Sequence, residues 1–230
     1  MAATAVVQYQ KDTLKFGIYD PIGKGNSTEI QFKKSGLSKC VPNLVATPPI
    51  HFSKTGESVD EIPLENLFGT AINIDISSNA LSNPDYLVSV DDFLNWEKNE
   101  QTKLPDGCIV LLQTGYSQYY PDKIKYLGTD KRGTEAVQSL HFPGLSPEAA
   151  KWLVENRNIK AIGIDTPSID FGQSEYFESH VILLSKNIPV FENLTMLNQL
   201  PSSGFEIIAL PMKIKGGSGA PLRVVAIFGS

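Results

Sequence analysis

The chain has 230 residues, 41% of them hydrophobic and 20% charged, with a formal net charge of −5. This is ordinary globular composition, read as a single domain over residues 1–230, and the acidic balance, with no basic cluster beyond Lys33–Lys34, excludes nucleic acid as the expected partner. No apolar run approaches the ~20 residues of a membrane span. The N-terminus lacks a basic, apolar leader, and Cys40 and Cys108 form no C-x-x-C pair, so a cytoplasmic protein with reduced thiols is expected.

Residues 1–50 are rich in turn formers, as in "YDPIGKGNSTE" with Pro21, Gly23, Gly25 and Asn26. "CVPNLVATPPIHFSKTG", Cys40 to Gly56, has the cadence of a metal-site loop, yet holds one histidine and no carboxylate. "TAINIDIS", Thr70 to Ser77, alternates like a strand. Ser89 is placed to cap a helix over "VDDFLNWEKNE", with Asp91 and Asp92 in its first turn and Lys98 in its last.

"GCIVLLQTG" is a continuous apolar run between glycines and suits a central strand buried on both faces. "LSPEAAKWLVENRN" carries Ser146 at N-cap and Pro147 at N1, and it feeds the apolar strand "IKAIGIDT". Strand, helix and strand in that order predict a βαβ unit with a parallel pair. "SEYFESHVILLSKN" has helical spacing, "IPVFEN" reads as a short strand, and "GFEIIALPMKIKGGSGAPLRVVAIF" as two or three closing strands. Pro211 suits a strand edge or bulge, and Gly216–Gly219 a tight turn ahead of a strand, which is not a phosphate cradle.

The histidines are His51, His141 and His180. His141 precedes a helix start, where packing or capping is expected, whereas His180 lies inside an apolar helix. Glu192 ends a strand with apolar neighbours, so it must be paired, bound to something, or raised in pKa. No Walker loop, G-x-G-x-x-G, G-x-S-x-G, H-E-x-x-H or H-x-H pattern occurs.

"HFSKTGESVDEIPLENLFGTAINIDIS", "CIVLLQTGYSQYY", the long run from "HFPGLSPEAAKWLVENRN" to "VFENLTMLNQLP", and "ALPMKIKGGSGAPLRVVAI" together resemble the cyclase family, which includes kynurenine formamidase and isatin hydrolase. The resemblance implies an α/β fold, a swivelling β/β/α domain with a mixed barrel-like sheet and flanking helices, assembled as a homodimer or homotetramer. It also implies hydrolysis of an aryl formamide, cyclic amide or lactone with divalent ions held by a loop reading His-x-Gly-Thr-His-x-Asp-x-Pro-x-His-Phe. Anchored on Pro49, His51 and Phe52, the loop's two metal histidines fall on Val41 and Val45 and its aspartate on Thr47. The last loop histidine is kept as His51, and the later histidine and glutamate match His180 and Glu192.

Three readings follow from this split. The leading one is an enzyme without a cofactor, acting by acid–base catalysis on a small carbonyl substrate through cyclisation, dehydration, lactonisation or isomerisation. His51 is its base, Glu192 its acid or orienting group, and His180 its hydrogen-bond donor to an oxyanion. An apolar wall of Val41, Leu44 and Val45, with Thr47, shifts the retained groups toward useful pKa values. Tyr116, Tyr119 and Tyr120 are candidate substrate contacts. The second reading is a hydrolase with a weak divalent ion at His180 and Glu192, and the third a binding protein without turnover.

Overall fold

The computed structural model describes residues 6–10, 13–15, 44–53 and 55–228. In chain order its strands and helices are β1 (Val6–Gln10), β2 (Thr13–Lys15), β3 (Val45–Thr47), β4 (Phe68–Asp75), α1 (Ser77–Ser82), β5 (Leu87–Val88), α2 (Val90–Glu100) and β6 (Cys108–Gln113). They continue with α3 (Lys123–Leu127), β7 (Gly144–Leu145), α4 (Pro147–Asn156), β8 (Ile159–Ile164), α5 (Glu178–Leu184), β9 (Val190–Glu192), β10 (Phe205–Pro211) and β11 (Ala220–Phe228). The main sheet has nine strands, and pairing of β10 with β11 closes the ring β4–β6–β8–β9–β3–β11–β10, with β1 and β2 appended to β11.

Within the ring, β4, β6, β8 and β9 run parallel, while β3 and β10 are antiparallel to their neighbours. The expected parallel pair is therefore β6 and β8, with α4 in the connection between them. The sheet is the mixed barrel, with helices beside it, that the sequence resemblance implies. β6 is apolar throughout because both its faces are covered. Ile109 and Leu111 point into the barrel, where they meet Ala71, Phe191 and Ile207. Val110 and Leu112 point outward, against a layer that includes Phe93 of α2, Leu153 of α4 and Leu183 of α5. β10 and β11 instead alternate buried and exposed positions, as strands with one solvated face do.

The helix starts follow local chemistry. Ser89 and Asp92 form a reciprocal capping box on α2, and Ser146 Oγ accepts the Ala149 N–H at 3.1 Å on α4. α5 begins only at Glu178, later than its apolar spacing suggests, because Phe177 has φ 51° and breaks the helical run. Its first N–H groups are met by a carboxylate distant in sequence, described below.

Candidate functional site

Alternation along β9 sets the direction of Glu192. Phe191 enters the barrel core, so Val190 and Glu192 face outward, beneath α5. β3 pairs antiparallel with β9, Val45 opposite Glu192 and Thr47 opposite Val190, so Val45, Thr47 and Glu192 share one face. Thr47 Oγ1 donates to Glu192 Oε2 at 2.8 Å. Glu192 Oε1 accepts the Ile169 N–H at 3.0 Å and lies 3.1 Å from His180 Nε2.

The other ring nitrogen, Nδ1 of His180, is 2.5 Å from Asp170 Oδ2. His180, Asp170 and Glu192 are 4%, 2% and 7% exposed, so the charges meet out of water. Burial pulls the His180 imidazole down, but the hydrogen bonds and negative charges of Asp170 and Glu192 outweigh it and push its pKa up to about 9. The ring is an imidazolium at neutral pH, donating one N–H to each carboxylate. Glu192, expected to be paired, bound or shifted, is paired.

His51 is exposed, and its ring is not in the charged cluster: it lies 4.9 Å edge-on to Phe52, which lies 5.2 Å from the His180 ring. His51 Nδ1 is 2.7 Å from the Ser218 carbonyl oxygen, which can only accept, so Nδ1 carries the proton and Nε2 is the basic nitrogen of the neutral ring. The Gly216–Gly219 turn, with Gly216 at φ 67°, thus does more than reverse the chain. No local sequence signal links residues so far apart.

Of the other expected contacts, Tyr116 is buried and lies 5.2 Å from Tyr119, in an aromatic cluster with Phe142. Tyr120 lies 5.8 Å from Tyr126. Tyr126, not singled out from the sequence, reaches the site: its hydroxyl lies 3.0 Å from Asn193 Oδ1 and 3.3 Å from the Asp165 carbonyl oxygen. Burial, then the charges of Asp165 and Glu192, push its phenol well above the usual range. Val41 lies outside the described residues. Leu44 faces the barrel interior and not the site, a correction to the expected apolar wall that follows from its alternation with Val45. His141 is half-buried, and its Nδ1 lies 2.8 Å from Asp85 Oδ1.

A divalent ion can be tested against these donors. A catalytic zinc site takes three protein ligands, and manganese asks for more oxygen donors. The described residues contain no cluster of three His, Cys, Asp or Glu side chains that could hold a metal. His180 and Glu192 are two, and they bond each other. Val45 offers no donor atom, and Thr47 offers only a neutral hydroxyl already bonded to Glu192. The described residues, as arranged, do not fit a catalytic ion.

Comparison with known proteins supplies what this geometry lacks. Residues 47–171, more than half of the chain, match the Cyclase family, described as "Putative cyclase". Isatin hydrolase from Roseibium aggregatum is 28% identical over 172 residues, 73% of this chain and 62% of that protein, so the chain spans less than two thirds of this relative's length. Kynurenine formamidase from Salinibacter ruber is 28% identical over 77% of this chain and 71% of its own. The solved structure of isatin hydrolase A from Labrenzia aggregata, bound to benzyl benzoate, superposes with a TM-score of 0.70 at 34% identity, covering 80% of this chain and 71% of that one.

A further structure of the same fold, with a TM-score of 0.55 at 20% identity and coverage of 80% of this chain and 76% of that one, is described as a potential metal-dependent hydrolase with cyclase activity. The expectation of a cofactor-free site is corrected by this finding, because a protein of the same fold is described as metal-dependent. Among the described residues no helix is long and apolar enough to cross a membrane. The family-model match over more than half of the chain agrees with the superposition on isatin hydrolase A, and the chain belongs to the Cyclase family.

Proposed function

We propose that this chain is a hydrolase of a small carbonyl compound: a cyclic amide, a lactone or an aryl formamide. The relatives named isatin hydrolase and kynurenine formamidase support that reaction class. The single observation that carries it here is the buried His180–Glu192 contact at 3.1 Å, with Thr47 on the outer oxygen of the same carboxylate. These three positions are where the resemblance puts functional groups.

In this reading both N–H groups of His180 are spent on Asp170 and Glu192, so the ring is not free to donate to an oxyanion, which corrects the role expected of it from the sequence. His180 and Thr47 instead hold the Glu192 carboxylate in place as the acid or orienting group. His51, with Nε2 as its basic nitrogen, takes a proton from the attacking water and returns one to the leaving group. The divalent ion of the relatives' chemistry belongs to the hydrolase reading, but the described donors do not complete a site for it, so no step is assigned to it.

The test uses isatin and formanilide as probes, with ring opening or formate release followed by absorbance. The protein is assayed as purified, after chelation, and with added zinc or manganese. Turnover of at least one probe, lost in His180→Ala, supports the reading. Failure to hydrolyse any cyclic amide, lactone or aryl formamide under all three conditions overturns it.

A further inference from the structure

The segment after β8 supports both members of the charged pair. Thr166 Oγ1 donates to the Ser168 carbonyl at 2.7 Å, and the Leu145 N–H donates to the Ile169 carbonyl at 2.7 Å. The Ile169 N–H in turn donates to Glu192. Asp170, the next residue, reaches the helix instead. Its Oδ1 accepts the Ser179 N–H at 2.9 Å, and its Oδ2 accepts the His180 N–H at 3.3 Å as well as the ring Nδ1–H at 2.5 Å.

One carboxylate therefore closes the start of α5 and grips the ring that α5 carries. A group that only capped the helix would leave the imidazole free to turn about χ2. The bond to Nδ1 selects the orientation in which Nε2 faces Glu192. The backbone beneath Asp170 is fixed as well: a Cβ on Gly144 would stand 2.4 Å from the Asp170 carbonyl carbon and 2.2 Å from the Phe171 nitrogen. β7 thus presses directly on this loop, with no room for a side chain between them.

We propose that Asp170 is the positioning residue of this site, fixing the orientation of the His180 ring, with Nδ1 toward its own carboxylate, so that Nε2 faces Glu192. Its effect on turnover rests on the hydrolase reading, whereas its hold on the ring does not. Asp170→Asn keeps the shorter capping bond, because the carboxamide oxygen still accepts the Ser179 N–H, and removes the charge that grips Nδ1 together with the longer 3.3 Å bond from the His180 N–H.

Proton NMR of the full chain with nitrogen-labelled histidine reads the grip directly. The unsubstituted protein is expected to show an exchange-protected, far-downfield His180 Nδ1–H resonance, and Asp170→Asn to lose it while remaining folded. On a probe that the protein hydrolyses, the same variant is expected to lower kcat about 100-fold with KM little changed. Ser179→Ala is the control, since it removes the hydroxyl bond to the Leu145 carbonyl, 2.7 Å long, without touching the ring. It is expected to lower the melting temperature and keep both the resonance and kcat.

The proposal is overturned if the resonance is absent from the unsubstituted protein or survives in Asp170→Asn. It is overturned equally if Ser179→Ala lowers kcat as far as Asp170→Asn does, because the loss then traces to helix docking. If no probe is hydrolysed at all, the hydrolase reading fails while the resonance comparison still decides the role of Asp170.

Discussion

The two walls of the candidate site are built from different chemistry. On one side α5, β9 and the Ile169–Asp170 segment bring together a cation between two carboxylates, every atom of contact out of water. On the other side β3 contributes Val45 and the single hydroxyl of Thr47, where the family resemblance would place a histidine and an aspartate. The charged wall is closed on itself, and the neutral wall only steadies one of its oxygens. In the proposed reading the chemistry is organised from the charged side, with His51 at the solvent edge beside Phe52.

That contrast is broken most severely by removing the shared cation. His180→Ala leaves Asp170 and Glu192 buried with no counter-charge, and urea unfolding should show a loss of about 3–5 kcal/mol. The same ring sets a pH dependence. Its folded pKa, about 9, is above the value of 6.5 of an unperturbed histidine, so its contribution is complete below about 6.5 and is lost as pH rises through 9. Stability measured from pH 6 to 10 should fall across that window in the unsubstituted chain and stay flatter there in His180→Ala.

Thr47→Val keeps the shape and removes the hydroxyl bond to Glu192, so a loss of about 1–3 kcal/mol is expected from chemical denaturation. No loss would mean that the neutral wall does not support the charged one. Val45→His combined with Thr47→Asp tests the same face from the opposite direction. Residues 45, 47 and 192 share that face, so the pair of substitutions adds two donors beside Glu192. Calorimetric titration should show zinc held at least about tenfold more tightly than by the unsubstituted chain. The smallest change in stability belongs to His51→Ala. The residue is exposed, so unfolding should shift by no more than about 0.5 kcal/mol, while turnover falls about 100-fold or more if Nε2 is the base.

The fold was legible where apolar patterning and caps act locally. The runs at Cys108–Gln113 and Ile159–Ile164 announced strands buried on both faces, and Ser89 and Ser146 announced the starts of α2 and α4. The start of α5 was not legible, because Phe177 breaks the run and the acceptor for the first N–H groups, Asp170, comes from outside the helix. The residue types at Thr47, His51, His180 and Glu192 could be placed by resemblance, but their contacts depend on register. One-residue alternation sends Phe191 and Leu44 into the barrel and Glu192 and Val45 out of it. Asp170, Tyr126 and Ser218 carried no local signal, since each acts on a partner far along the chain or through a backbone atom.

The central claim is that the buried His180–Glu192 contact is the working core of the site. It is tested most directly by the kcat/KM for ring opening of isatin in the unsubstituted chain and in Glu192→Gln, with both shown to be folded by their melting curves. A loss of about 100-fold or more in Glu192→Gln is the predicted result. Turnover at the level of the unsubstituted protein would contradict it.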